Sequence, residues 1–155
     1  MTPKPTDEDY RRLLQLRTGL RRFLRWSERR AEEAGLTPAQ HQLLLAIRGH
    51  PDLRGPTIGD VAESLLLRHH SAVGLVDRAA TAGLVERGPD PDSQSIVRLQ
   101  LTEKGAAQLE ALSEQHLEEL AHLAPTMHAL WDAIEEAGSG DRSDGPHPAA
   151  RPRAL

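Results

Sequence analysis

Apolar residues recur at steps of three and four along much of this chain, which is the spacing of one face of a helix. Between residues 7 and 34 they alternate with arginine and glutamate, so one long amphipathic helix is predicted there, ending near Gly35. A second helix is predicted from Pro38 to about Arg48, because Thr37 suits the N-cap and a proline suits the first helical position.

A pair of short helices is predicted after the loop "GHPDLRGP". Thr57 suits the N-cap of the first helix, which we expect to be short, about nine residues. After a turn at residues 66–68, the second helix is predicted from His69 to about Ala82, with Gly83 closing it in the left-handed conformation. Two short helices joined by a tight turn form a helix-turn-helix.

A β-hairpin, or wing, is predicted from the β-prone runs "LVER" and "SIVRLQL", because "GPDPDSQ" between them has the composition of an exposed turn. Thr102 suits the cap of a last long helical region, which Pro125 should kink or divide. Residues 138–155 lack an apolar period and are rich in glycine, proline and serine, so they are predicted to form a disordered tail.

The predicted fold class is mainly α with a small β-wing. A winged helix-turn-helix region, residues 35–101, is flanked by an N-terminal helix at 7–34 and C-terminal helices at 102–137. The apolar stripes of both flanking regions are too extensive for a small winged domain to cover, so these regions are predicted to form a homodimer interface.

Composition narrows the functional classes. The chain has no cysteine, which excludes disulfides, thiolate metal sites and a thiol nucleophile. No apolar run approaches the roughly 20 residues of a membrane helix, and the first thirty residues do not have the pattern of a secretion signal. We therefore expect a cytoplasmic protein without a membrane partner.

Metal binding and catalysis find little support in the sequence. His116, His122 and His128 recur every six residues, which rotates each by about 240° around a helix, so only a metal site bridging two chains remains open. The chain has no phosphate-binding glycine loop and no nucleophile elbow. We expect no metal, no cofactor and no enzymatic activity.

Five motifs in this order resemble the MarR family of winged helix-turn-helix transcription regulators, over residues 13–134. They are "LTPAQHQLLLAI", "TIGDVAESLLL", "VGLVDRAATAGLVER", "DPDS" and "LTEKG". The resemblance implies a homodimer with intertwined terminal helices, and a pseudo-palindromic operator in double-stranded DNA. It also implies repression that a small-molecule effector relieves.

By this resemblance, the second helix of the pair enters the major groove and an arginine of the wing enters the minor groove. A helix N-terminus independently favours phosphate, because its amides are unpaired and carry partial positive charge. The predicted DNA-binding residues are Arg68, His69, His70, Ser71, Arg87, Gln94 and Arg98. The alternative for the two histidines is that they only begin a helix on a solvated face.

Three departures from the family pattern predict weak, strongly salt-dependent DNA binding. The wing tip has Ser-Gln-Ser at residues 93–95 where many members have arginines, and Gly74 replaces a longer polar side chain. Residues 57–105 hold five basic and seven acidic residues, a net charge of −2, and phosphate binding needs positive surface. These features also favour the alternative function, a winged-helix dimer that binds a protein partner or senses a ligand.

The resemblance to the MarR family also implies an effector pocket, which would lie between the dimer helices and the winged domain. The candidate ligand-binding residues are Arg22, Trp26 and His41, beside Leu45. The alternative is that Trp26 and Leu45 are ordinary core residues and that His41 is a satisfied or exposed helix residue.

Overall fold

The computed structural model describes residues 4–139, which form five helices and one two-stranded hairpin. The elements are α1 Asp7–Glu33, α2 Pro38–Arg48, α3 Ile58–Ser64, α4 His69–Thr81, β1 Val85–Asp90, β2 Ser93–Leu101 and α5 Glu103–Ser139. The predicted fold class, mainly α with a small β-wing, is confirmed. The described residues group into two compact units, one of residues 22–120 and one of residues 4–21 with 121–139.

Helices α2 and α3 each begin at a threonine whose side chain caps the helix. The Thr37 hydroxyl accepts from the Gln40 amide at 3.1 Å, and the Gln40 side chain accepts from the Thr37 amide at 3.0 Å, so the predicted cap of α2 is confirmed. Thr57 and Asp60 make the same reciprocal pair on α3, at 3.2 and 2.8 Å. These contacts satisfy amides that a helix start otherwise leaves without a partner.

The helix-turn-helix consists of α3, a turn and α4, as predicted. Gly83, with φ of +73°, follows the end of α4, and the Leu84 amide reaches back to the Ala79 carbonyl at 3.0 Å. This hydrogen bond is the one expected of a left-handed helix terminus. In the turn before α4, Leu66 takes a φ of +54° although it is not glycine, and its side chain is 93% exposed.

The wing is longer and its turn tighter than the sequence suggested. Strands β1 and β2 pair antiparallel from Val85 opposite Leu101 to Asp90 opposite Ser93, with a register shift between Pro89 and Asp90. The exposed tip predicted over residues 88–94 is shorter than expected, because only two residues separate the strands. The Asp90 carboxylate accepts from the Asp92 amide at 2.8 Å and so closes the turn locally.

The core of the unit of residues 22–120 lies among α2, α3, α4 and the base of the wing. Its fully buried large side chains are Leu43, Leu44, Val61, Val76, Leu84, Leu99 and Leu112. Two of these come from α2 and one comes from α5, so the helix-turn-helix is packed against helices that precede and follow it in the chain. This close packing fixes the orientation of α3 relative to α4.

The last helix differs from its prediction. Thr102 caps α5 through the Gly105 amide at 3.0 Å, as expected, but α5 continues through Pro125 as one helix, so the prediction of a division there is wrong. One proline removes a single backbone hydrogen bond, and the alanines, leucines and glutamates on both sides favour helix strongly. The helix ends at Ser139, and the remainder of the predicted tail lies outside the described residues.

The unit of residues 4–21 and 121–139 is held by contacts between α1 and α5. The Arg12 guanidinium donates to the Ala133 carbonyl at 3.3 Å, and Gly19 faces the Met127 sulfur. Among the residues described, no helix has the length and apolar character needed to cross a membrane.

Candidate nucleic-acid interface

The N-terminus of α4 differs from the starts of α2 and α3 because no side chain caps it. Arg68 occupies the N-cap position with φ of −69° and ψ of 149°, and its side chain makes no capping hydrogen bond. The amides of Ser71 and Ala72 bond to the Arg68 carbonyl, whereas those of His69 and His70 find no partner among the described residues. Two backbone donors and one guanidinium are thus directed to solvent at one helix end.

The structure brings four of the seven predicted DNA-binding residues together at this end. Arg68, His69, His70 and Ser71 are consecutive and all exposed. We call these four residues the α4 tip. Because helical residues advance by 100° each, the four side chains point in different directions and cover a broad surface.

A further basic residue on α4, Arg78, was not among the predicted DNA-binding residues. Arg78 is exposed, and one of its guanidinium nitrogens lies 3.2 Å from where a side chain on Gly74 would begin. Arg78 follows Gly74 by four residues, so both lie on one face of the helix, and the glycine leaves room for the arginine to fold over it. The i, i+4 spacing of these two residues was the available signal.

Arg87, predicted to meet DNA from the wing, is paired within the protein. Its guanidinium donates to the Asp77 carboxylate on α4. The pair neutralises a cation of the wing and an anion of α4 at once. Arg87 is partly exposed but is not a free cation in this structure.

Arg98, also predicted to meet phosphate, lies inside the wing. Its side chain is 13% exposed, its Nε donates to Asp90 at 2.6 Å, and its NH1 donates to the Gly55 carbonyl at 3.1 Å. Asp90 itself is only 4% exposed. The expectation of a phosphate contact from Arg98 is corrected, since a charge-assisted internal hydrogen bond already occupies its guanidinium.

Arg54 belongs to the same group of charges. It contacts Asp52 at 2.7 Å, Asp92 at 2.9 Å and Asp90 at 3.5 Å. We call Asp52, Arg54, Asp90, Asp92 and Arg98 the wing-stem network. The network contains three carboxylates and two guanidiniums, so it contributes no positive field to a phosphate surface.

Hydrogen bonds lower the pKa of two carboxylates of the wing-stem network, Asp90 and Asp52. The pKa of Asp90 is lowered by the hydrogen bond from the Asp92 backbone and then by that from Arg98. The pKa of Asp52 is lowered mainly by hydrogen bonds from the Arg54 side chain and backbone. A carboxylate that accepts several such bonds favours its charged form.

The segment before α3 is attached to β2 as if it were a further strand. The Leu99 amide donates to the Pro56 carbonyl at 2.9 Å, and the Gln100 side chain donates to the Arg54 carbonyl at 2.7 Å. Gly55 has a φ of +88°, and a side chain on it would begin only 2.1 Å from the Leu99 carbonyl oxygen. Glycine is required here by both the backbone conformation and the close approach of β2.

Gln94, the last predicted wing contact, is exposed near the wing tip. Beside it the hydroxyls of Ser93 and Ser95 lie 2.9 Å apart in a hydrogen bond with each other. Residues 93–95 therefore offer uncharged hydrogen-bonding groups and no guanidinium.

The candidate effector residues lie elsewhere in the same unit. Trp26 stacks on Phe23 with ring centroids 5.9 Å apart and meets the His116 ring edge-on at 4.8 Å. The Nδ1 of His116 lies 2.7 Å from the Leu112 carbonyl, so this nitrogen carries the proton and donates. Its Nε2 therefore accepts from the Ser27 hydroxyl, also at 2.7 Å.

His41 and Trp26 both pack against the His116 ring, each with ring centroids 4.8 Å from it. His41 lines a small pocket of about 110 Å³, together with Leu24, Ser27, Glu28, Pro38 and Gln42. Trp26 packs in the aromatic cluster beside it, whereas Arg22 is exposed and does not line the pocket. Of the three candidate residues only His41 lines this pocket, and the ligand-binding roles of Arg22 and Trp26 stay predictions.

Sequence comparison identifies the central part of the chain. Residues 34–94, which include α2, the helix-turn-helix and most of the wing, match the MarR family. No curated protein matches the chain significantly.

Solved structures with the same fold include three regulators that share little sequence with this chain. AbsC of Streptomyces coelicolor, a MarR family transcriptional regulator, is 17% identical, with a TM-score of 0.68 over 90% of this chain and 94% of its own. A MarR family protein from Bacillus stearothermophilus is 22% identical, with a TM-score of 0.67 over 88% and 97%. A variant of MepR from S. aureus, solved bound to an oligodeoxyribonucleotide, is 18% identical, with a TM-score of 0.62 over 86% and 99%.

Proposed function

We propose that this protein is a cytoplasmic homodimer that binds operator DNA and represses transcription, because residues 34–94 match the MarR family and the chain has the fold of MarR family transcription regulators. The observation that carries the proposal is the α4 tip. It combines unpaired amides, an exposed arginine and the position that a helix-turn-helix presents to the major groove.

In this proposal α4 carries most of the DNA contacts. The amides of His69 and His70 and the guanidinium of Arg68 bind phosphate, His70 and Ser71 reach base edges, and Arg78 contacts the backbone at the other end of the helix. Few of these contacts are bidentate, and each bidentate pair is worth roughly 1–3 kcal/mol of discrimination. Sequence-dependent DNA shape then supplies the rest of the selectivity.

The wing has a lesser role than in a relative with arginines at its tip. Gln94 offers hydrogen bonds to sugar or base edges, while Arg87 and Arg98 hold the wing in position through Asp77 and Asp90. Because the wing arginines are paired within the protein, the affinity for DNA depends strongly on the few arginines of α4.

Dimer formation is supported by exposed apolar side chains on the two terminal helices. Those on α1 and α5 are Tyr10, Leu13, Leu14, Leu20, Leu24, Leu117, Leu120 and Trp131. Residues of this size are rarely left in water in such number by a monomer. A two-fold dimer then presents two α4 helices to half-sites about 10 base pairs apart.

The test is a fluorescence-anisotropy titration against the double-stranded DNA upstream of the protein's own gene, at two salt concentrations. We expect specific binding at low salt and a steep loss at high salt. Arg68→Ala should weaken binding roughly tenfold and lower the salt slope by about one, while Arg48→Ala on the exposed end of α2 should leave both unchanged. An unchanged slope for Arg68→Ala, or no binding at low salt, contradicts the proposal.

A second candidate function is a winged-helix dimer that binds a protein or senses a ligand without DNA. It is favoured by the neutralised wing-stem network and by the net charge of −2 over residues 57–105. The same titration separates the two, because this second function requires no specific retention of the duplex even in dilute buffer.

A further inference from the structure

Gly74 lies in the middle of α4, where a glycine is unfavourable. It is the sixth of the 13 residues of this helix. A glycine inside a helix lowers stability relative to alanine, because it loses more backbone freedom on folding. Its presence therefore needs a reason in the packing, in the backbone conformation or in what the helix binds.

Neither the packing nor the backbone conformation requires a glycine at this position. The φ of Gly74 is not positive, and an added Cβ would meet one described atom within 4 Å beyond its chain neighbours and the backbone of α4. That atom is a guanidinium nitrogen of Arg78, at 3.2 Å. Gly105 shows the opposite case, because a Cβ there would lie 2.0 Å from the Leu84 carbonyl oxygen. The space beside Gly74 therefore holds one flexible side chain and no part of the core.

The side chain of Arg78 turns back along α4 toward its N-terminus. Residues 74 and 78 are about 6 Å apart along the helix axis, since each residue rises about 1.5 Å, yet the guanidinium lies beside Gly74. Arg78 is exposed, and its neighbour Asp77 is paired with Arg87. Among the described residues Arg78 has no ion-pair partner, so its charge is available to a ligand at the middle of the helix.

Gly74 lies on the same face of α4 as the residues proposed to reach base edges. His70 precedes it by four residues and Ser71 by three, and residues at these spacings are neighbours on a helix surface. The guanidinium beside Gly74 therefore extends the surface of the α4 tip by one turn. It lies where the sequence lacks the longer polar side chain of many MarR family members.

We propose that Gly74 is a positioning residue that seats the Arg78 guanidinium at the middle of α4, from where it donates to O6 and N7 of a guanine in the major groove. The guanidinium fork matches these two acceptors, and arginine with guanine is the commonest specific contact to DNA. The inference rests on the proposed function and adds a selected base to it. The remaining N–H donors of Arg78 are left for its backbone contact.

The first experiment compares DNA binding with stability in the full chain. Gly74→Ala fills the seat, so we expect about tenfold weaker binding to the duplex upstream of the protein's own gene, together with an unfolding midpoint about 2–4 °C higher. Gly19→Ala inside α1 is the matched control, because its nearest such atom is the Met127 sulfur at 3.9 Å, and it should leave DNA binding unchanged. Unchanged DNA affinity in Gly74→Ala overturns the proposal.

A double variant tests whether Gly74 acts through the arginine. Arg78→Ala should weaken binding about tenfold, and adding Gly74→Ala to it should weaken binding no further, because no guanidinium remains to be displaced. A further loss in the double variant would mean that the added carbon obstructs the DNA directly, and this result also rejects the seat.

Modified DNA identifies the acceptor. 7-Deazaguanine lacks N7, so replacing guanine by it should weaken binding of the unaltered protein several-fold more than binding of Arg78→Ala. Equal losses in the two proteins exclude the guanine contact. Nuclear Overhauser effects between the Arg78 side chain and Gly74 detect the seat without DNA. Absence of duplex binding by the unaltered protein rejects the proposed function, whereas duplex binding without these effects rejects only the seat.

Discussion

The α4 tip and the wing-stem network belong to the same winged helix-turn-helix, but their arginines differ in environment. The arginine of the α4 tip is exposed, whereas those of the wing-stem network are paired with carboxylates. Arg68 is exposed and uncapped, beside two unpaired amides. Arg54 and Arg98 face three carboxylates at distances down to 2.6 Å, one of them the buried Asp90. A count of basic residues treats these arginines alike, but only an arginine without an internal partner is available to a phosphate.

The same difference separates the residues that we propose to bind DNA from those that stabilise the fold. Loss of an α4-tip side chain removes a group that contacts only solvent, so the fold should tolerate it. Loss of one of the two buried wing-stem residues, Asp90 or Arg98, leaves a desolvated charge, which destabilises the structure more than a surface change does. The predictions below test this division, beginning with the largest effect.

Gly55→Ala should destabilise the protein by about 3 kcal/mol or more. The added carbon would begin 2.1 Å from the Leu99 carbonyl oxygen and would also require a positive φ. Gly35→Ala is the matched control, since Gly35 has a φ of +81° but nothing within 4 Å, so about 1 kcal/mol is expected. Urea unfolding measures both, and equal losses would show that β2 does not approach this segment closely.

Asp90→Asn should lower the midpoint of thermal unfolding by roughly 5–10 °C, because Arg98 then keeps its burial without its anion. Asp92→Asn removes a carboxylate that is 82% exposed and should have little effect. Calorimetry gives the unfolding midpoint of each variant and so tests whether the stability of the network depends on the buried Asp90. Similar midpoints would mean that Asp90 is no more important than a surface residue.

Asp77→Asn should strengthen DNA binding by about three- to tenfold at low salt, because it releases Arg87 and removes a negative charge from α4. The salt slope should increase by about 0.9 if the released guanidinium meets one phosphate. Glu86→Gln, an exposed neighbour on β1, controls for charge removal alone. If both variants change DNA affinity equally in anisotropy titrations, pairing with Asp77 is not what keeps Arg87 from contacting DNA.

Acid should act on two parts of the molecule in separate pH ranges, with the smallest effects of this series. The lowered pKa of His41 means that the unfolded chain takes up this proton first, so stability falls as pH drops below about 6.5. The lowered pKa of Asp90 means that its contribution is complete above 3.8 and is lost as pH falls through the folded-state value.

Unfolding monitored from pH 7.5 to 2.5 checks both ranges. His41→Gln should remove the first decline, and Asp90→Asn should flatten the second. A decline near pH 6 that persists in His41→Gln would assign it to another histidine.

Much of the fold follows from local chemistry in the sequence. The caps at Thr37, Thr57 and Thr102 and the left-handed Gly83 are determined by residues within a few positions, so they were predictable. The short wing turn was not, because Asp90 is drawn into the strand by Arg98 and Arg54, and those partners are visible only in three dimensions.

The candidate site was predictable to a similar extent. The position of Arg68 to Ser71 at a helix start follows from the pattern of the helix-turn-helix. The internal pairing of Arg87 and Arg98 does not, since Asp77 and Gly55 are distant in sequence from their partners. For Pro125 the sequence shows the missing amide, and of the two predicted effects, a kink or a division, the structure excludes the division.

The attachment of residues 54–56 to β2 has a mechanical consequence. The chain runs from that attachment through Thr57 straight into α3, so the wing and the first helix of the pair share one joint and no flexible spacer. A shift imposed on α3 must carry the wing with it. Operator release in such a protein would then be concerted, with groove and backbone contacts broken together and no half-engaged intermediate.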